Sequence, residues 1–396
     1  MVRLRSRFAI CLVFSLFQVS LFDPPQTEAQ AQKPAPSFAM LSTQAQAARD
    51  ADRLDEAAVL YRKALALKPG WAEGWWALGT IQYDQNAYGD AAKSFTRLVA
   101  LQPKSGTARV MLGLCQFELG QDAAALASLQ EGRRLGIPTD PQFREVMLYH
   151  EGVLLQREAR FESAQEILGQ LCRQSPYPPQ VNLAMGAVAL RVHDRQLPAA
   201  GTVDYQVMQN SGEATCLGAQ RKYDDARRQF DALVAAYPQY PDLHYAYGKL
   251  LLDADDNDAA VAQFQAEIRN NPNDAISRLR IASAKYRIDS AAGLPYAEEA
   301  VKLDPSLPLG HYLLGLLLLD TDDYQRAIPE LEIAQKAFSD QPKVYFALAS
   351  AYSRAGRHDD AARTRATFLR LSKEQENSAA RGTTPQTEGP PVPPRQ

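Results

Sequence analysis

The apolar positions of this chain recur with two superimposed periods. Within short stretches they fall at helical spacing: Trp75, Leu78, Gly79 and Tyr83 share one face of a helix, and Tyr88, Ala91, Phe95 and Leu98 one face of the next. Over longer distances the whole pattern returns, unit after unit, at one fixed spacing. Leu54-x-x-Ala57, Tyr88-x-x-Ala91, Phe161-x-x-Ala164, Tyr223-x-x-Ala226, Tyr324-x-x-Ala327 and His358-x-x-Ala361 occupy the same phase. Four residues after these alanines stand the large side chains Tyr61, Phe95, Leu168, Phe230 and Leu331, with Arg365 the exception. A proline closes most copies, at Pro69, Pro103, Pro176, Pro238 and Pro272.

Each unit therefore reads as two helices. Asn86, Gly120 and Gly356 sit between them, residue types suited to a left-handed helix end. The closing proline cannot continue the second helix and releases the chain into the next unit. The recurring alanine has a packing reason: two helices approach to about 8 Å only where the side chains at their crossing are small.

These residues resemble the tetratricopeptide repeat family, whose signature of WxxLGxxY followed by A, F, A and P recurs with the same period of about 34 residues. Trp75-x-x-Leu78-Gly79 with Ala91, Phe95 and Pro103 matches well, as do Tyr345, Leu348, Ala349, Tyr352, Ala361 and Phe368, while Gln82 stands where the family prefers Tyr. Units begin near residues 38, 72, 106, 145, 179, 241, 275, 308 and 342. The resemblance implies an all-α fold, an α-solenoid of about nine helix pairs wound as a right-handed superhelix. It also implies a concave face lined by first helices, with Trp76, Tyr83, Phe117, Tyr149, Tyr245, Tyr286, Tyr312 and Phe346 pointing into it. Any one of these rings can pack between neighbouring first helices instead; as a stripe they point to a protein or peptide partner. The position used by family members that clamp a ligand carboxylate with Lys and Asn carries no asparagine here, so that kind of clamp is not expected.

Two units depart from the pattern. The one beginning near 179 exceeds the period by about 28 residues. The excess lies at 192–220, where Val203, Val207, Ala214 and Leu217 share a helical face. The stretch reads as a loop or as a degenerate first helix, dividing an N-terminal lobe (32–191) from a C-terminal lobe (221–375). The unit near 275 is short, with Gly293-Leu294-Pro295 as its turn and a second helix resuming at 296–303.

The ends differ from the repeats. Arg3, Arg5 and Arg7 precede an apolar run from Phe8 to Phe22, and Ala29-Gln30-Ala31 has the small-x-small form of a leader-peptidase site. Residues 1–31 read as a cleaved export signal, the apolar run being shorter than the roughly 20 residues of a membrane span. The expectation is an exported protein, periplasmic or secreted, of bacterial type. From Glu376 the chain turns to Gly, Thr, Gln and Pro, a composition expected to stay disordered to residue 396.

Charge and chemistry add little. The formal charge of -3 with both signs scattered leaves no footprint for nucleic acid or an anionic membrane. Beyond the leader remain Cys115, Cys172 and Cys216, read as small buried apolar residues, with a Cys172–Cys216 disulfide as the alternative. His150, His193, His244, His311 and His358 form no metal signature, and His244 and His311 take the packing position of Trp75. No phosphate loop or nucleophile elbow occurs, and Asp255-Asp256, Asp322-Asp323 and Asp359-Asp360 fit helix N-termini. No catalytic residue, cofactor or metal is therefore expected. The leading reading is a protein-binding scaffold of the cell envelope. The alternatives are an accessory factor in envelope assembly or secretion, and an enzyme whose site the insertion completes with His193, Asp194, Asp204 and Glu213.

Overall fold

The computed structural model of the chain describes residues 36–380, apart from 138, 139, 175, 195, 196 and 287. The stretch read as an export signal, residues 1–31, lies outside the described residues, as does the stretch beyond Ala380. The described residues form 19 α-helices in two compact units, Met1–Pro69 and Gly70–Gln396. The boundary between units thus falls at Pro69, and the helices flanking 192–220 on both sides belong to the second unit.

The first unit is one helix pair, α1 (Phe38–Asp50) and α2 (Leu54–Leu67). Ser37 caps α1 by accepting from the Met40 N–H at 3.2 Å. Small residues at the crossing, Ala45 and Ala48 against Ala57 and Ala64, are all fully buried. Tyr61 is buried beside them and its hydroxyl donates to Gln46 at 3.0 Å.

The second unit repeats that hairpin as α3 (Ala72–Asp84) with α4 (Tyr88–Leu101), α5 (Gly106–Glu118) with α6 (Asp122–Leu135), and α7 (Pro141–Arg157) with α8 (Phe161–Cys172). Two helices follow in place of one pair, α9 (Gln180–Ala189) and α10 (Val203–Ala219), before α11 (Tyr223–Ala236). The pairs resume with α12 (Leu243–Asp253) and α13 (Asn257–Asn270), then α14 (Ala275–Tyr286) and α15 (Ser290–Leu303). Last come α16 (Pro308–Asp320) with α17 (Tyr324–Ala337), and α18 (Pro342–Arg354) with α19 (His358–Ala380). Three apolar clusters that follow one another along the chain form the core of this unit.

The local chemistry of the hairpins is as the sequence requires. Asn86, Gly120 and Gly356 are left-handed, at φ 59°, 70° and 77°. Of the acidic pairs, Asp255 and Asp322 take that same conformation, and Asp256 and Asp323 cap the second helix by accepting from the N–H of Ala259 and Arg326. The first-helix glycine makes room for the large residue of the second helix. A Cβ on Gly79, Gly152, Gly248 or Gly315 would stand 2.9, 2.5, 2.7 or 2.5 Å from the side chain of Phe95, Leu168, Phe264 or Leu331. Gln82, the departure from the family's Tyr, is buried and accepts from Ser94 Oγ at 2.7 Å, so the second helix supplies it with a polar partner.

The long unit resolves into helices. Arg191, just after α9, and Arg221, just after α10, are both left-handed (φ 51° and 62°), the conformation that ends a first helix elsewhere in the chain. The chain after Arg221 enters α11, a second helix; the chain after Arg191 does not enter one before α10. Among the described residues eight regular hairpins are thus joined through three helices, α9, α10 and α11, of which α9 packs on α10 more extensively than α10 does on α11. Backbones of α9 and α10 touch: a Cβ on Gly186 would lie 1.8 Å from the Met208 carbonyl oxygen, and one on Gly212 1.7 Å from that of Asn182.

Two smaller expectations are corrected. Gly293-Leu294-Pro295 is not a turn but lies inside α15, which starts at Ser290 because Asp289 caps it by accepting from the Ala292 N–H at 3.2 Å. At the C-terminus α19 runs into the stretch read as tail, through 376–380, preceded by the Arg370–Glu374 pair one turn apart at 2.8 Å.

Cys172 and Cys216 are joined in a disulfide, Cα–Cα 5.1 Å, so the reading of these two as free apolar residues is overturned. Their 44-residue separation hides the pairing, which exists because α10 returns beside the end of α8. Gln220 reinforces the junction by donating to the Cys172 carbonyl at 2.7 Å. Cys115 is buried and free, and burial pushes its thiol up to about 12, an unreactive apolar residue. Closing a loop of that length constrains the unfolded chain, so Cys172→Ser/Cys216→Ser is expected to lose about 2–4 kcal/mol of stability in denaturant titration. Equal midpoints with and without a reductant would show that the bridge does not form.

Candidate functional site

Five of the eight aromatics expected on the first-helix face keep a surface to solvent. Trp76 is half-buried, edge-on to Phe95 at 5.8 Å, and Tyr83 packs edge-on to Tyr88 at 5.3 Å. On α5, Phe117 has the His150 ring at 4.6 Å and the Arg157 guanidinium over its face at 4.6 Å. Tyr149 of α7 lies 5.5 Å from the same imidazole. Burial pushes the Tyr83 and Tyr149 phenols up and the His150 imidazole down, Val146 partly offsetting the last, so this cluster is neutral apart from Arg157 and nearby Glu118. Phe346, at the other end of the unit, is 42% exposed and packs against Phe368.

Tyr245, Tyr286 and Tyr312 are corrections: they are 2%, 3% and 0% exposed and present no binding surface. The transfer of repeat positions assumes identical neighbours, and here the neighbours differ. Arg191, just after α9, lies over the Tyr245 ring at 4.1 Å. Every residue of α16 from Gly310 to Leu319 is buried, and Tyr286 and Tyr312 lie in the apolar cluster around that helix.

The structure also assembles charged groups that no sequence pattern announced. Asp242, Glu267 and Asp274 bring carboxylate oxygens within 4.8 Å of one another, a donor set that could ligate a cation. The positive charge there is Arg191. Its guanidinium donates to Asp274 Oδ2 at 2.8 Å and Oδ1 at 3.1 Å, and to Asp242 through Nε at 2.8 Å and a closer Nη2 bond. Glu267, fully buried, accepts from the backbone N–H of Asp242 and Tyr245. Burial pushes the Asp274 carboxyl up, but Arg191 and Ser277 more than offset it and hold it below the ordinary value; Asp242 and Glu267 stay raised by burial. The network ties α9 to α12 and α14, so it is a structural strut.

A second cluster lies beside it. Lys249 donates to Gln165 at 2.6 Å and lies 4.0 Å from Glu162, and Arg280 donates to Glu162 at 2.5 Å. Glu162, Gln165 and Lys249 line a cavity of about 440 Å³ between α8, α9, α10 and α12. Its apolar wall is Met185, Ala189, Ala246 and Leu250. Glu166, Arg173, Arg221 and Asp253 supply charge around it. α10, one of its walls, falls in the stretch that exceeds the repeat period, so sequence periodicity could locate the insertion but not the space.

The catalytic candidates are not brought together. Asp204 bonds to the Tyr240 phenol, whose pKa burial and Asp204 push up to about 12. Glu213 accepts from Gln229 at 3.3 Å, and His193 and Asp194 are exposed. His244 and His311 hold structural posts: both ring nitrogens engage, with Gln263 and the Pro238 carbonyl for one and Glu330 and the Pro305 carbonyl for the other.

Several known proteins are similar to parts of this chain. Over 161 residues the chain is 24% identical to anaphase-promoting complex subunit 3 of Schizosaccharomyces pombe; the match takes in 40% of this chain, which spans about a quarter (24%) of that relative. Among solved structures the fold is similar to MamA, at 19% identity and TM-score 0.39 over 41% of this chain and 96% of MamA. A form of MamA from Desulfovibrio magneticus RS-1 matches at 20% identity and TM-score 0.38 over 42% of this chain and 97% of that one. YrrB, described as a TPR protein with an unusual peptide-binding site, matches at 11% identity and TM-score 0.39 over 44% of this chain and 90% of its own. The family model for the tetratricopeptide repeat matches residues 42–99, 77–137, 212–275, 282–342 and 312–364, more than half of the chain. The hairpins, their glycine and alanine contacts and this family match together make the chain a member of the tetratricopeptide repeat family.

Proposed function

We propose that this chain is an exported scaffold of the cell envelope that holds a segment of a partner protein on the first-helix face of α3, α5 and α7. The observation that carries the reading is the run of half-buried rings on three successive first helices: Trp76, Tyr83, Phe117 and Tyr149. Each is fixed by a ring or cation contact yet keeps surface free, which lets it bury area on a partner at small entropic cost. Export is supported by the leader pattern of residues 1–31 and by the Cys172–Cys216 bridge, which suits an oxidising compartment. No described helix is long and apolar enough to cross a membrane.

The test is affinity capture from envelope extract with the purified chain, in parallel with Trp76→Ala/Tyr83→Ala/Phe117→Ala and with Phe346→Ala as a control outside the proposed surface. The expected result is a set of partners retained by Phe346→Ala and lost by the triple variant, with circular dichroism showing that both variants remain helical. Identical sets from the wild type and the triple variant would move the binding surface elsewhere.

A further inference from the structure

In several repeats of the second unit the last residue of a first helix lies against the first residue of the second helix before it. Arg157, which ends α7, donates to Asp122, which starts α6, at 3.3 Å. Asp320, which ends α16, accepts from Ser290, which starts α15, at 2.8 Å. The guanidinium of Arg354, which ends α18, stands 5.6 Å from the ring centre of Tyr324, which starts α17. The step from α4 to α5 repeats this register with Tyr88, which starts α4, and Glu118, which ends α5. Tyr88 and Tyr324 are held alike, each phenol donating to the residue two positions before it, Asn86 at 2.8 Å and Asp322 respectively. What differs is the residue that the next first helix brings to this register: an arginine for Tyr324, a carboxylate for Tyr88.

Tyr83, in the last turn of α3, stands edge-on to Tyr88 with ring centres 5.3 Å apart and planes at 69°, so a face of each ring walls one corner. Both rings keep a surface to solvent. The charges that act on the two phenols are negative: burial raises both, Glu118 raises both further, and Asp84 adds to the effect on Tyr83. At Tyr324, by contrast, Arg354 partly offsets Asp322. Glu118 is exposed and makes no hydrogen bond or ion pair among the described residues. The acid in the same register after α11 is Asp253, and there Lys249 and Arg280 draw back a carboxyl that burial raises. Near Glu118 the cation is Arg157, already engaged by Asp122 and the Phe117 ring. Two tyrosine faces and a carboxylate are the groups that receive an ammonium or a guanidinium.

We infer that Tyr83, Tyr88 and Glu118 receive a lysine or arginine side chain of the bound segment, so that the partner held on the first-helix face is a basic one. The inference rests on the reading of that face as the binding surface and adds the chemistry it selects. The bound cation takes the place over Tyr88 that Arg354 takes over Tyr324, with Glu118 as its counter-charge.

Selection of phage-displayed random dodecapeptides on the purified chain tests it, followed by calorimetric titration of a selected peptide. Lysine or arginine is expected to be enriched at one position of the selected peptides. Replacing that residue by norleucine, a neutral side chain of similar length, should weaken binding about five- to tenfold. Glu118→Arg installs at Tyr88 the arrangement that Arg354 makes at Tyr324, and this variant should bind the basic and the norleucine peptide alike. Glu118 is exposed and arginine suits a helix C-terminus, so the variant is expected to fold, with unchanged helicity as the check. Peptides that need Trp76, Tyr83 and Phe117 but show no basic preference would overturn the cation site and leave the binding face standing. A basic preference that Glu118→Arg does not reduce would overturn it as well. Peptides that Trp76→Ala/Tyr83→Ala/Phe117→Ala still binds, or no selected peptide at all, would count against the face itself, and the cation site falls with it.

Discussion

Gly212→Ala is expected to destabilise the protein by about 2–4 kcal/mol, although alanine is intrinsically the better helix former by about 1 kcal/mol. The added Cβ would stand 1.7 Å from the Asn182 carbonyl oxygen and 2.6 Å from the Gly186 nitrogen. Both are backbone atoms, so no side chain can turn aside and α9 must move off α10. That movement would also disturb the cavity wall that Met185 and Ala189 contribute. Gly89→Ala, in α4, is the control: a Cβ there meets nothing within 4 Å, and the variant should be as stable as the wild type or slightly more so. Denaturant titrations of the two variants measure the difference, and a neutral Gly212→Ala would mean that the two helices do not touch.

The second large effect is at Arg191. Arg191→Met keeps much of the side-chain bulk and removes the cation, leaving Asp274, which is 4% exposed at its side chain, and Asp242 with an uncompensated negative charge. The expected cost at pH 7 is about 3–5 kcal/mol. Its pH dependence follows from the direction of the Asp274 shift. In the wild type this carboxyl is held below its ordinary value, so the pair contributes stability above the unfolded pKa and loses it as pH falls through the depressed folded value. Without Arg191 both carboxyls rise, and protonation relieves the variant as pH falls. The gap between wild type and variant should therefore narrow from pH 7 to pH 4. A gap that stays constant or widens would contradict the strut.

Much of the fold was legible because repeats encode themselves locally. Helical spacing, a small residue at the crossing, a left-handed residue between helices and a closing proline are all readable within a single unit, and each has its counterpart in the structure. The aromatic positions were legible only where the neighbouring repeats are regular. Trp76, Tyr83, Phe117 and Tyr149 lie in the undisturbed hairpins before α9, whereas Tyr245 lies under Arg191, delivered by the end of α9 in the irregular stretch. The strut and the cavity had no signal in the sequence. Arg191 meets partners 51 and 83 residues away, and Arg280 meets Glu162 across 118. Such distances are set by how helices stack, and the pattern of apolar positions specifies the stacking of neighbours only.

A solenoid whose repeats touch only their neighbours has stability that adds along its length, so repeats can be gained or lost by duplication with little consequence for the rest. The centre of this chain does not obey that rule. A covalent bridge from α8 to α10, a strut from α9 to α12 and α14, and an ion pair from α14 back to α8 close a ring of dependencies in which each helix needs others several positions away. Repeats before α7 or after α15 stand outside that ring. The array is thus free to vary in length at its ends, while its middle is inherited as an indivisible block.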